Sequence, residues 1–141
     1  MQLPESARAL INSATHAHLV TLNEDGSPQV TIVWAGLDGD DIVAAHLYEL
    51  RKVRNVRNDP RVAVSFESDT RSAIGLAEYL VVYGRAQIDE GGAPELLQKL
   101  AHTYLGPGVK FPTIENPPPG FITRIKVDRF TGVGAWTGRV V

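Results

Sequence analysis

The sequence predicts a mainly β fold with flanking helices: one small barrel of six antiparallel strands, spanning residues 1–141 as a single domain. Three observations predict it. Short apolar runs alternate with polar residues at the two-residue period of a half-buried strand. Asp-Gly and Gly-Gly breaks separate these runs at hairpin spacing. Only three segments carry helical spacing, one ahead of the first strand and two at crossings between strands.

Each element follows in order. Leu3 to Ala14 places Leu3, Ala7, Leu10, Ile11 and Ala14 on one side of a short helix. His18–Leu22 is the first strand, and Asn23 to Ser27 is a turn marked by Asp25-Gly26. Pro28–Ala35 is the second strand, with Val30, Ile32 and Trp34 on one face and Gln29, Thr31 and Val33 on the other. Leu37 to Asp41 reads as another Asp/Gly turn, and Asp41–His46 as the third strand. Arg61–Glu67 alternates cleanly as the fourth. Ser68 to Gly75 is a polar connection, and Tyr79–Ile88 lies in a long fifth strand. Gly84 inside that strand marks a bulge or a close backbone approach. Pro94–Leu105 is an amphipathic helix with proline in its first turn. Gly106–Gly120 is a glycine- and proline-rich loop, and Phe121–Phe130 the sixth strand. Trp136 follows in a glycine-rich tail with little sequence around it to cover it, as for a residue packed against a partner subunit.

The most unusual segment is Leu50 to Arg61. It holds five cations in twelve residues, in a chain of net charge −2. Leu50, Val53 and Val56 fit one face of a short helix, and Asp59-Pro60 ends it. Arg51 and Lys52 then stand at the helix N-terminus, where the dipole disfavours cations. A solvated basic face is one reading. The other is a phosphate site, since free backbone N–H groups and two cations converge there.

Composition narrows the function. The slight negative charge argues against general nucleic-acid binding, so the basic cluster suits a small anion. There is no cysteine, hence no disulfide, thiolate metal site or cysteine nucleophile. No run approaches the roughly 20 apolar residues of a membrane span, and no signal segment opens the sequence, so a cytoplasmic protein is expected. His16 and His18 lack an acidic partner at ligand spacing, so no metal site is expected. Asp38-Gly39-Asp40-Asp41 lacks the spaced ligands of a calcium loop. His46 ends a strand five residues before the basic helix, within reach of a ligand. No catalytic residue identifies itself: there is no nucleophile motif and no acid–base pair. That favours a binding module or an enzyme whose chemistry belongs to a cofactor.

Two segments carry a family resemblance. They are Asp25-Gly26-Ser27-Pro28-Gln29-Val30, and the run from Arg51-Lys52-Val53-Arg54-Asn55 to Asn58-Asp59-Pro60-Arg61-Val62. Together with the element order they resemble the pyridoxamine 5′-phosphate oxidase-like superfamily. The chain most resembles its flavin/deazaflavin oxidoreductase branch of actinobacteria, whose members often use coenzyme F420. The resemblance implies the FMN-binding split β-barrel fold and a homodimer with sites at the subunit interface. It implies that Lys52 and Arg51 hold the cofactor phosphate. Gln29, Val30, Thr31, Val33 and Trp34 would lie along the ring, with backbone amides and Thr31 bonding its edge. His46 would lie beside the ribityl chain, and Arg57 would join the cations. Tyr79 and Trp136 would complete the partner's site. Trp136-Thr137-Gly138-Arg139 only weakly echoes the substrate motif of the oxidases proper, so vitamin B6 oxidation is not expected. The implied activity is F420-dependent hydride transfer to a small unsaturated or carbonyl-bearing acceptor. The alternatives are an FMN-binding oxidoreductase of the same fold, a non-catalytic carrier of F420 or a tetrapyrrole, or a barrel used only for protein contacts.

Overall fold

The computed structural model describes residues 1–137. The chain runs α1 (Glu5–Ile11), β1 (Ala17–Leu22), β2 (Pro28–Val33), β3 (Gly36–Asp38), β4 (Asp41–His46), α2 (Arg51–Asn58), β5 (Arg61–Arg71), β6 (Ala77–Glu90), α3 (Ala93–Tyr104) and β7 (Phe121–Val133), then a single 3-10 turn at Ala135–Thr137. No helix among the described residues is long and apolar enough to cross a membrane.

The sheet has seven strands, not six, and it is not a closed barrel. Its order is β2-β1-β5-β6-β7-β4-β3, and every pairing is antiparallel. The additional strand is β3, where the sequence reads as a turn. Gly36, Leu37 and Asp38 pair with Val43, Ile42 and Asp41, leaving only Gly39-Asp40 to reverse the chain. A three-residue strand is too short to show a period.

β2 and β3 occupy opposite edges, yet only Trp34 and Ala35 separate them in sequence. Three Cα–Cα steps reach at most about 11 Å. The sheet therefore curls until its two edges come together at that corner, with no ladder between them among the described residues.

The expected devices shape the other elements. Gly26 takes φ 84° in the β1–β2 turn, and the Asp25 carboxylate accepts from the Ser27 N–H at 2.9 Å. Helix α2 stops at Asp59, which adopts extended angles before Pro60. Gly84 lies at a register shift between β6 and β7, where an added Cβ would stand 2.2 Å from the Lys126 carbonyl oxygen. β5 and β6 run longer than their apolar patterns because the polar residues 68–71 continue the hairpin to the Arg71–Ala77 pair.

The core lies inside the curl. Leu19, Ile42, Val64, Phe66, Leu80, Val82 and Ile125 are fully buried, and α1 adds Ala7, Leu10 and Ile11. Trp136 belongs to this core and is 7% exposed. The expectation that its own chain leaves it uncovered is thereby corrected: the 3-10 turn folds it back beside α1 and the end of β7. Gly138 and Arg139 lie outside the described residues.

Candidate functional site

A cavity of about 390 Å³ opens where β2, the end of β4, the start of α2, α3 and the 106–120 loop converge. Ile32, Val33 and Trp34 form one wall, and Leu97 of α3 and Phe111 of the loop form another. Ala45, His46, Leu50 and Lys52 close one part, and His16 lies at the lining on the α1–β1 loop.

The aromatic wall is rigidly built. Trp34 stacks on Tyr104 at 5.3 Å and 14°, and Phe111 meets Trp34 at 5.1 Å and 56°. The Tyr104 hydroxyl accepts from the Ala35 N–H at 3.0 Å and donates to the Thr15 carbonyl at 2.7 Å. Burial pushes that hydroxyl's pKa up, so it stays protonated. Gln98 fastens the loop to α3: its carboxamide oxygen accepts from the Phe111 N–H at 3.0 Å and its nitrogen donates to the Val109 carbonyl at 2.8 Å.

Lys52 is the second residue of α2 and only 8% exposed. Among the described residues it makes no ion pair, and burial pulls its pKa down. A buried ammonium without a counterion is costly and gains most from an anion placed beside it. His46 is 5% exposed, with Nε2 2.9 Å from Thr123 Oγ1. Burial, and then the Lys52 charge, depress its pKa to about 4. It is neutral at physiological pH.

Of the residues expected at a cofactor site, Val33, Trp34, His46 and Lys52 meet in this cavity. Thr31 stands one residue before the lining, and its hydroxyl is buried without a hydrogen-bond partner among the described residues. Arg51 is exposed and lines a different cleft of about 360 Å³ with Glu24, Arg54, Asn55 and Asn58. The helix start thus splits its two cations between two depressions. Gln29 turns to a polar network instead: its Oε1 accepts from Asn55 Nδ2 at 3.3 Å and lies 3.3 Å from the Thr21 hydroxyl. Val30 is 60% exposed on the outer face of β2. Arg57 is engaged elsewhere, bridging Glu49 at 2.9 Å and Glu90 at 3.2 Å and lying over the Phe121 ring. Tyr79 sits on β6 opposite Val133, outside this cavity, and Trp136 is in the core.

Sequence reasoning missed His16, Leu97, Phe111 and Tyr104 as parts of the site. Leu97 and Tyr104 were legible only as positions on an amphipathic helix. Phe111 is a lone aromatic in a loop, and nothing in the sequence places His16 near Lys52. The assembled cavity can hold a flat apolar group against Trp34 and Phe111 and an anion at Lys52. Among the described residues, none with a hydroxyl, thiol or carboxylate side chain lines it.

The family model described as pyridoxamine 5′-phosphate oxidase matches residues 3–134. No match is found among curated proteins. Among solved structures, an F420 reductase is 27% identical with a TM-score of 0.74, over 92% of this chain and 98% of its own. An FMN-binding protein from Syntrophomonas wolfei subsp. wolfei is 17% identical with a TM-score of 0.66, over 92% and 85%. A heme binding protein from Mycobacterium smegmatis is 23% identical with a TM-score of 0.67, over 92% and 53%. At those identities the last two are similar in fold alone.

Proposed function

This chain belongs to the pyridoxamine 5′-phosphate oxidase family, and from that premise we propose that it is an oxidoreductase that uses coenzyme F420 to reduce a small unsaturated or carbonyl-bearing molecule. The observation that carries the reading is Lys52, a buried cation with no ion-pair partner among the described residues, at a cavity walled by Trp34 and Phe111. The likeness to an F420 reductase over nearly the whole of both chains supports the deazaflavin choice over FMN.

The residues present fit such a cofactor. Lys52 would hold its phosphate. The half-buried face of β2 would lie along its ring, and the unpartnered Thr31 hydroxyl would bond a polar ring edge. Arg51 and Arg54, on the neighbouring cleft, would suit the acidic extension that distinguishes F420 from FMN. When bound in reduced form, the coenzyme supplies a hydride. The chain supplies the rest: it orients the acceptor against Trp34 and Phe111, excludes water with Ile32, Leu50 and Leu97, and clamps the anion. The reading includes a homodimer. Val30 on the outer face of β2 and Ile32 at the open rim of the cavity, 60% and 61% exposed, are apolar surface that a second copy would cover.

Titration of the cofactor-free protein with F420, FMN and heme, followed by fluorescence and absorbance, tests the reading. Selective F420 binding is expected. Lys52→Ala should weaken it by roughly 30-fold or more, the ~2 kcal/mol cost of removing one partner of a buried charge pair. The unfolding midpoint should hold or rise, because a buried charge is gone. Selective binding of FMN or heme, or unchanged F420 affinity in Lys52→Ala, overturns it.

A further inference from the structure

We infer that His16 is the proton donor that completes the reduction in this cavity; the inference rests on the reductase reading above. Hydride transfer to a conjugated carbonyl leaves an enolate, and the product forms only when a proton arrives at the carbon beside the carbonyl. Three side chains lining the cavity carry titratable protons: His16, His46 and Lys52. Lys52 is occupied as the anion clamp. His46 is buried against Thr123 and held neutral. His16 is exposed at the lining, and neither ring nitrogen bonds another described residue. The remaining polar group packed nearby is the Tyr104 hydroxyl of α3, whose proton is already given to the Thr15 carbonyl. β2 brings only apolar groups to the lining, and Glu67 of β5 reaches this loop through its backbone carbonyl.

The loop that carries His16 is held from two sides. The Thr15 hydroxyl donates to the Glu67 carbonyl at 2.7 Å, and the Thr15 carbonyl accepts from Tyr104 at 2.7 Å. Ala14 is in the left-handed region at φ 64°, a conformation an alanine keeps only when its surroundings impose it. Tyr104 also stacks on Trp34, and its ring centroid lies 6.0 Å from that of His16. One side chain therefore sets both the aromatic wall and the backbone of the imidazole beside it.

The step balances as follows. The acceptor's C=C π bond breaks as its β-carbon gains a hydride, two electrons and one proton, from the reduced F420. The imidazolium N–H bond of His16 breaks as the C–H bond beside the carbonyl forms. The carrier leaves oxidised, and the neutral imidazole regains its proton from solvent.

The test uses cyclohex-2-en-1-one as acceptor, with reduced F420 and the full chain. His16→Gln should be slower by about 100-fold, the low end of general-acid contributions, while F420 still binds. Added imidazole should restore part of the rate to His16→Ala. A second readout needs no carrier: cofactor-free wild type in D2O should speed deuterium entry beside the carbonyl of cyclohexanone, and His16→Gln should not. Failure of the wild type to reduce the enone overturns the reductase reading. Reduction and exchange that persist unchanged in His16→Gln overturn the role of His16.

Discussion

The Asn55 carboxamide donates to the Thr21 hydroxyl at 3.1 Å, joining α2 to β1 inside the protein. The same nitrogen reaches Asn23 Oδ1 at 2.9 Å and Gln29 Oε1 at 3.3 Å. Asn55 is one helical turn beyond Lys52 and, like it, buried. A single carboxamide thus fixes the helix that carries the cation against the hairpin that carries the cavity wall. Asn55→Ala leaves the buried Thr21 hydroxyl and the half-buried Asn23 Oδ1 short of a donor. It should cost about 1–3 kcal/mol, read as a lower urea midpoint, and should loosen anion binding at Lys52.

His46 makes stability depend on pH. Its folded-state value of about 4 lies below the ordinary 6.5, so the unfolded chain takes up the proton first. The contribution is whole above pH 6.5 and is lost as the pH falls towards 4. At about 1.4 kcal/mol per unit, it amounts to roughly 3 kcal/mol. His46→Gln should remove that part of the acid sensitivity, measured as the difference in urea midpoints between pH 7 and pH 4.5. An equal fall in both proteins contradicts the assignment.

Ala14 holds φ 64°, a region that costs an L-residue roughly 1–2 kcal/mol. Ala14→Gly removes the penalty and adds chain entropy to the unfolded state. A net gain of about 0.5–1 kcal/mol is expected, which raises Tm by about 1–4 °C at this size. A lower Tm would show that the methyl group itself packs.

Gly84→Ala acts in the opposite direction. Its Cβ would meet a backbone carbonyl of β7, which cannot swing aside like a side-chain tip. A loss of about 1–3 kcal/mol is expected from this overpacking, visible by thermal unfolding.

Much of the fold was legible because local signals agreed with it. The alternation along Gln29–Val33 appears as the half-buried and exposed faces of β2. Asp59-Pro60 stops α2, and Gly84 marks the bulge. β3 escaped because its partner, not its sequence, makes it a strand. Of the residues that line the candidate cavity, Lys52 was legible because its charge stood out, and those that depend on closure of the curl were not. His16 and Phe111 are 95 residues apart and meet only once α3 and its loop are docked. Arg57 looked like a ligand-binding cation, but Glu49 and Glu90, distant in sequence from each other, claim it first.

The seam between β2 and β3 bears on how the cavity admits a ligand. Elsewhere, parting two neighbouring strands means breaking a row of backbone hydrogen bonds. At the seam there is no row, and the Trp34-Ala35 link is held from α3 by the Tyr104 hydroxyl, which bonds the Ala35 N–H and lies 3.2 Å from its carbonyl. Each such bond is worth about 0.5–1.5 kcal/mol net. A widening along this line breaks no strand ladder among the described residues, and the line runs beside the indole that walls the candidate site.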